Sequence, residues 1–283
     1  MPPAVVVHSD AASFLARARA WLMEREDEHN LVLGLATTLS NTPPPAGPEG
    51  YFFATVEEEG AVSGAAFRTP PNKVGVTRMP LAAGEGVARA LAERYDRVPA
   101  VFGHADVAEA VAAAWVRLKG GTARTGLPQR IYRLDRVTFP EGVAGTMRAA
   151  TEADLPTVHL WGEGFAEDAG RAFATAPETR ARWVAVGSLF LWEDGGEPVS
   201  MALATGRTEN GVRIGYVYTP PERRGRGYAS ALTAALSQRE LDRGARFCVL
   251  YTDLGNPVSN RIYQRLGYRP LHDLLDVDIE AVR

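Results

Sequence analysis

The chain has 283 residues, of which 46% are hydrophobic and 23% are charged, and its formal net charge is −3. This composition is ordinary for a folded globular protein and argues against a disordered chain, while the length suits two domains. A nucleic-acid-binding domain would carry clustered basic residues, so no nucleic-acid partner is expected. The single cysteine, Cys248, excludes a disulfide within the chain.

Histidine spacing and hydropathy argue against two further classes of protein. The five histidines are widely scattered, and none has a His or Cys neighbour at zinc-ligand spacing, so no metal site is expected. No run approaches the roughly 18 apolar residues of a membrane helix, so no membrane partner is expected. Residues 1–12 lack the basic and apolar regions of a secretory signal, and we therefore expect a cytoplasmic protein.

In the first half of the chain, hydrophobic periodicity predicts a mixture of helices and strands. Helices are predicted over 13–25 and 29–39, followed by a loop over 41–50 that is rich in proline and glycine. The pattern then predicts strands over 51–56, 62–68 and 73–79, a helix over 85–95, a strand over 100–103, a helix over 106–119 capped by Asp106, and a strand over 129–137.

Residues 138–145 carry Pro140, Gly142 and Gly145 and show little pattern, so we place a domain boundary there and predict domains 1–140 and 146–283. In the second half, the pattern predicts a strand over 147–149, a helix opened by a capping box at Thr151 and Asp154, and a helix over 171–181. It then predicts strands over 189–193, 199–206 and 212–218, a helix over 227–243, a strand over 247–251, a helix over 257–266 and a final hairpin ending at 279. Both halves share this order. We therefore expect an α/β protein with two copies of one fold in tandem, each a mostly antiparallel mixed sheet flanked by helices.

The segment 217–229 joins the end of a strand to a glycine-rich basic turn and the start of a helix. The free N–H groups of a helix's first turn bind anions, and glycines let a phosphate approach the backbone closely. A P-loop would need a lysine that is absent here, and a dinucleotide-binding turn would need glycine where Ser230 stands. Arg224, Gly227 and Ala229 instead fit the pattern Arg/Gln-x-x-Gly-x-Gly/Ala.

A second motif follows at 256–268. Asn256, Ser259 and Tyr263 share one face of the predicted helix, and Gly267-Tyr268 follows them. Together with the turn and the order of elements, this motif resembles the GCN5-related N-acetyltransferase (GNAT) family. The resemblance implies that the second half transfers an acetyl group from acetyl-CoA to a primary amine of a small molecule or peptide by direct attack in a ternary complex.

The resemblance also implies roles for individual residues. The residues expected to bind the cofactor are Val217, Tyr218, Thr219, Arg224, Gly225, Arg226, Gly227, Tyr228, Ala229, Asn256 and Ser259. Tyr263 is the candidate general acid, because a phenol with a pKa of about 10 is protonated at neutral pH. The general base stays open, with four carboxylates as options: Glu163, Glu167, Asp168 and Asp253.

The corresponding turn of the first half, residues 78–86, lacks the phosphate-binding pattern, and Glu85 would repel a phosphate. The first half is therefore expected to be a degenerate copy that does not bind CoA. The alternatives are a non-catalytic acyl-CoA-binding module and a different acyl transfer, such as the thiol-precursor or aminoacyl-tRNA-linked reactions of some tandem relatives. A nicotinamide-dependent enzyme is the least favoured.

Overall fold

A computed structural model describes residues 2–41, 50–170 and 174–281. In chain order the elements are β1 (Ala4–Val7), α1 (Ala11–Met23), α2 (Asn30–Asn41), β2 (Phe52–Glu58), β3 (Ala61–Arg68), β4 (Val74–Val76), α3 (Gly84–Arg94), β5 (Ala100–Gly103), α4 (Ala105–Lys119), β6 (Thr122–Leu134), β7 (Thr146–Ala149), α5 (Leu155–Ala169), α6 (Pro177–Ala185), β8 (Leu189–Asp194), β9 (Glu197–Thr205), β10 (Gly211–Tyr218), α7 (Tyr228–Asp242), β11 (Phe247–Asp253), α8 (Pro257–Arg265) and β12 (Arg269–Glu280).

The chain divides into two compact units. Unit 1 contains Met1–Ile131, Thr252–Asn256 and Leu271–Arg283, and unit 2 contains Tyr132–Tyr251 and Pro257–Pro270. Most of β12 thus belongs to unit 1, because Leu275, Val277 and their neighbours pair antiparallel with β5. The predicted domains 1–140 and 146–283 stay a prediction about the sequence repeat. The two compact units divide the chain differently, because each contains residues from both predicted domains.

Unit 1 is a mixed sheet with helices on both faces. Its strands follow the order β1-β2-β3-β4-β5-β12, antiparallel except for the parallel pair β4–β5. Successive side chains of β2 point to opposite faces. Phe52 packs in the core that contains Leu91 of α3 and Trp115 of α4, whereas Phe53 packs with Phe14 of α1.

Unit 2 repeats this architecture. Strands β7 to β10 are antiparallel in sequence order, and β10 pairs parallel with β11. On β8, Phe190 faces the core that holds Leu232 of α7, whereas Leu191 faces the core that holds Trp161 of α5. The predicted α/β class is confirmed, with mixed strand pairing flanked by helices in each unit, although the twelve strands form one hydrogen-bonded sheet where two were predicted.

Three local predictions were wrong. The predicted final hairpin is instead the single strand β12, in which Asp273 and Asp276 form ion pairs with Arg130 and Lys73. The helix predicted over 171–181 is α6, which begins at a proline suited to a first helical turn; residues 171–173 lie outside the described residues.

The third error concerns the start of α4. His104 occupies the N-cap position, and Asp106 lies inside the first turn, where its carboxylate accepts the Val107 N–H at 2.9 Å. A negative charge in the first turn stabilises the helix by interacting favourably with the helix dipole, although it does not cap the helix. The capping box at Thr151 and Asp154 is present as predicted.

The predicted loop over 41–50 falls largely on residues 42–49, outside the described residues. Among the described residues, no helix has both the length and the apolar content needed to cross a membrane.

Candidate functional site

A β-bulge interrupts β10 where the predicted site begins. Gly215 pairs with Leu203 of β9, and the next pair joins Tyr218 to Met201, so β10 carries one extra residue between them. Tyr216 within the bulge has φ 54°, a left-handed conformation that is rare for a residue with a side chain. A bulge leaves backbone groups outside the ladder, and such strained positions concentrate at functional sites.

The other edge of β10 separates from β11 before the bulge. The parallel ladder joins Gly211 to Phe247, Val212 to Cys248 and Arg213 to Val249, and among the described pairs it reaches no further. The backbone of residues 214–218 therefore has N–H and C=O groups available to an extended ligand.

A hydroxyl network fixes the end of β10. The buried Ser200 donates its hydroxyl to the Tyr218 carbonyl at 2.9 Å and accepts from Thr219 Oγ1 at 2.9 Å. The Tyr218 carbonyl is thus already used, which leaves backbone groups nearer the bulge for a ligand. Ser200 was not predicted, since no local pattern on β9 marks a serine that faces the following strand.

The glycine-rich turn leads into α7 with the expected geometry. Gly225 and Gly227 have φ 77° and 83°, and Gly227 is the N-cap of α7 without a side-chain cap. The first N–H groups of α7, from Tyr228 onward, have no preceding helical carbonyl to bind. A Cβ on Gly227 would lie 2.8 Å from Val143, so glycine is required there for space as well as for φ.

The two arginines of the turn have different environments. Arg224 donates from Nε to the Thr219 carbonyl at 2.9 Å and forms an ion pair with Asp168. Its guanidinium also lies 5.7 Å from the Tyr218 ring centroid. Arg224 therefore shapes the turn, whereas Arg226 is exposed and forms no recorded ion pair with the described residues.

The remaining predicted residues of this turn are positioned mainly by packing. Tyr228 is buried, and its hydroxyl donates to Asp194 at 2.5 Å, so only its backbone faces the turn. Ala229 is half-buried, and Val217 is a half-buried neighbour of the α7 core. Burial and then the Asp168 carboxylate raise the pKa of Tyr218, which stays protonated at neutral pH.

The second motif lies on and before α8. Tyr263 packs edge-on against Tyr268, with ring centroids 6.0 Å apart, and burial raises the pKa of Tyr263 to about 12. Its hydroxyl is therefore a proton donor throughout the neutral range. Ser259 is half-buried on the same helix. Asn256 is exposed before α8 and clusters with unit 1, so its cofactor role stays a prediction.

Of the four candidate bases, three already form an ion pair or a hydrogen bond and the fourth is exposed. Glu163 forms an ion pair with the buried Arg180 at 2.7 Å, Asp168 pairs with Arg224, and Asp253 accepts the Gly255 N–H at 2.6 Å. Glu167 is exposed. Three of the four carboxylates already hold a cation or an N–H, and the structure singles out none of the four as the base.

A buried arginine that the sequence did not indicate organises α5 and α6. Arg180 is 1% exposed and donates to His159 at 3.3 Å and to the Thr175 carbonyl at 2.7 Å, besides pairing with Glu163. Next to it, the buried Tyr216 hydroxyl has no hydrogen-bond partner among the described residues. These polar groups lie beside the bulge, on the face covered by the first two helices of unit 2.

The equivalent turn of unit 1 differs in structure as well as in sequence. A short 3₁₀ turn, Leu81–Ala83, runs directly into α3, and the Gly84 N–H bonds to the Leu81 carbonyl. Glu85 lies in the first turn and pairs with Arg89 at 2.6 Å. This helix start therefore presents an acidic side chain where unit 2 presents glycines and Arg226.

Comparison with known proteins identifies the class. A model of the acetyltransferase (GNAT) family matches residues 150–268, which include the bulge, the glycine turn and α8. This match over residues 150–268 supports the resemblance to the GNAT family that the two motifs and the order of the elements predicted. The chemistry of this family is acyl transfer from acyl-CoA.

One characterised relative is a mycothiol acetyltransferase of Thermomonospora curvata, which is 27% identical over 195 residues. The match covers 65% of this chain and 65% of the relative, so the chain spans slightly less than two thirds of that protein.

Two solved structures resemble nearly the whole chain. A Drosophila protein superposes with a TM-score of 0.69 at 14% identity, covering 98% of this chain and 99% of its own. A tandem GNAT protein from the clavulanic acid biosynthesis pathway has a TM-score of 0.56 at 14% identity, covering 98% of each chain. At these identities the likeness concerns the fold alone, and it confirms the tandem GNAT-like arrangement.

Proposed function

We propose that unit 2 transfers an acetyl group from acetyl-CoA to a primary amine of a small molecule or peptide. The observation that carries this proposal is the combination of the bulge at Tyr216 with the glycine turn that opens α7. The bulge and the separated edge of β10 offer backbone groups to an extended amide chain. The turn offers free N–H groups and Arg226 to a pyrophosphate.

The residues fit acetyl-CoA in both charge and shape. Gly225 has open space around the position of a Cβ, so a phosphate can approach that backbone. Arg224 contributes by fixing the turn through Thr219 and Asp168. Ser259, half-buried on α8, is proposed to contact the cofactor from the helix side.

Acetyl-CoA supplies an activated thioester, and the protein is proposed to orient it and to handle protons. A C–N bond forms at the acetyl carbonyl while the C–S bond breaks. A backbone N–H freed at the bulge is proposed to polarise the carbonyl oxygen. Tyr263 would donate its proton to the departing sulfur, whose thiol has a pKa of about 8.5 in water. The attacking amine loses a proton to a base or a water relay.

A second candidate function is acyl transfer to a thiol precursor. The observation that favours it is the likeness to a mycothiol acetyltransferase. It uses the same cofactor site, so the two candidates differ only in the acceptor. A purely acyl-CoA-binding role is the third possibility, and it predicts ligand binding without turnover.

Thermal unfolding with and without acetyl-CoA tests the proposal. Ligand at about 100 times its dissociation constant stabilises the protein by about 2.7 kcal/mol, which raises the unfolding temperature by roughly 5–10 °C. Arg226→Glu should abolish most of that rise, because this exposed arginine forms no ion pair with the described residues that would compete with a phosphate. Arg246→Glu is the matched control, since Arg246 is exposed at the opposite end of the β10–β11 pair.

Acceptors are then screened by release of the CoA thiol. Turnover with amines would support acetyl transfer, and turnover restricted to thiol precursors would support the second candidate. An equal rise in both charge-reversal variants would remove the glycine turn from the proposal. No rise at millimolar acetyl-CoA would overturn the acetyltransferase function itself.

A further inference from the structure

Three side chains of unit 1 that are far apart in the sequence converge in the fold. Glu28 follows α1, His104 precedes α4, and His272 lies in β12. Each offers a ligand atom, and these atoms all lie within 4.8 Å of one another. The cluster forms because β12 pairs with β5 and so brings the end of the chain beside the start of α4.

The cluster contains polar atoms that the described residues do not satisfy. Glu28 Oε2 and His272 Nδ1 are both buried without a hydrogen-bond partner, and His272 Nδ1 lies 3.8 Å from Glu28 Oε1. The His104 and His272 rings stack with centroids 4.6 Å apart. Buried polar atoms rarely lack a hydrogen bond, so two in one cluster suggest a missing group.

The surrounding charges bear on what that group is. Arg78 Nη2 lies 3.5 Å from His104 Nδ1, and Arg25 Nη1 lies 3.6 Å from Glu28 Oε2. Metals bind the neutral form of imidazole, which keeps a lone pair. Both arginines oppose a cation, because each lies beside one of the three side chains.

We propose that Glu28, His104 and His272 bind a divalent transition-metal ion of the zinc class in unit 1. Two imidazoles and one carboxylate form a donor set typical of such ions, with water in the remaining position. Bonds of about 2.0–2.2 Å place tetrahedral donors roughly 3.3 Å apart, so the three side chains must draw together by small rotamer changes. Ligand atoms within 4.8 Å are close enough for this.

A bound ion would connect the segment after α1, the start of α4 and the last strand of the chain. It would thus hold β12 in unit 1 by bonds that the apolar core does not supply. This role is independent of acyl transfer in unit 2, so the two proposals succeed or fail separately.

The test is metal titration of the chelator-treated full-length protein. Co²⁺ is the first probe, followed by its visible d–d absorption, and Zn²⁺ is then titrated against a chromophoric chelator. We expect one equivalent to bind, with the cobalt spectrum of a low-coordinate N/O site. His272→Gln and Glu28→Gln should each weaken binding by at least about tenfold. The matched control is His8→Gln, because His8 lies in unit 1 and its ring forms a hydrogen bond with Thr55, outside the cluster.

Glu28→Gln preserves size and retains a polar group, so its melting curve should show that unit 1 still folds. The proposal is overturned by the absence of stoichiometric binding to the folded wild-type protein. It is also overturned if Glu28→Gln or His272→Gln binds as tightly as His8→Gln, because the metal then sits elsewhere.

Discussion

The hydroxyl of Tyr218 lies against the backbone of α5 at Gly164, where a Cβ would come within 2.2 Å of the tyrosine oxygen. Tyr218 ends β10, and its carbonyl is held by Ser200 at 2.9 Å. The close approach of helix and strand therefore depends on the absence of a side chain at position 164. This contact between Gly164 and Tyr218 connects the packing of α5 to the part of the β10 backbone that is proposed to bind the cofactor.

Gly164→Ala should consequently destabilise the protein. In a helix interior, glycine to alanine normally stabilises by about 1 kcal/mol, because alanine has the higher helix propensity. Here the added methyl overlaps Tyr218, and overpacking of this kind costs about 1–3 kcal/mol. We expect a lower urea midpoint together with weaker acetyl-CoA binding.

Gly215→Ala is the matched control, because nothing lies within 4 Å of the Cβ position at Gly215. It should leave the urea midpoint nearly unchanged. A stabilised Gly164→Ala variant would mean that α5 and β10 can separate without loss, and the proposed connection would be wrong.

Tyr263→Phe should separate binding from turnover. The substitution removes the proton donor and keeps the ring that packs against Tyr268. Loss of a general acid typically costs about 10²–10⁴-fold, so kcat should fall at least about 100-fold. The rise in unfolding temperature with acetyl-CoA should stay within error of wild type. Tyr51→Phe in unit 1 controls for loss of a tyrosine hydroxyl, and unchanged turnover in Tyr263→Phe would exclude this residue as the acid.

Features encoded by neighbouring residues could be predicted from the sequence. The helix at 227–243 follows from a glycine start and an apolar period, and the phosphate-binding pattern at Arg224 to Ala229 lies within a single turn. Each of these depends on short-range geometry or on a known motif, which is why the fold class and the main turn agree with the structure.

Features that depend on tertiary packing could not be predicted. The aspartates of β12 resemble turn residues until Arg130 and Lys73, distant in sequence, are seen beside them. Histidine spacing gave no sign that His104 and His272 stack. The buried Arg180 likewise resembles a surface residue of an amphipathic helix, because the residues that pair with it lie on other segments.

The capping box that precedes α5 predicts a pH dependence of stability. Asp154 accepts two hydrogen bonds from Arg148, each at 2.8 Å, and the Thr151 N–H at 2.8 Å. The bonds from Arg148, more than any other cause, lower the pKa of Asp154 from 3.8 to about 2. The folded state thus favours the carboxylate, so its stabilisation is complete above pH 4 and is lost as the pH falls towards 2.

Asp154→Asn should lower the unfolding free energy at pH 7 by about 1–2 kcal/mol, after allowance for solvent screening. The difference from wild type should shrink between pH 4 and 2.5, where the wild-type carboxyl begins to protonate. Urea unfolding across this range measures it. A difference that is the same at pH 7 and pH 2.5 would contradict the assignment of the low pKa to Asp154.

Cys248 should be inert in the folded protein. It is the single cysteine of the chain, it is fully buried on β11, and burial raises the pKa of its thiol to about 12. At pH 8 only about one molecule in ten thousand would carry the reactive thiolate. A disulfide reagent should therefore react with the native protein very slowly and with one equivalent after unfolding in urea. Fast reaction of the native protein would mean that β11 opens readily. If Cys248 reacts slowly, the thiol detected in the acceptor screen comes from released CoA and not from the protein.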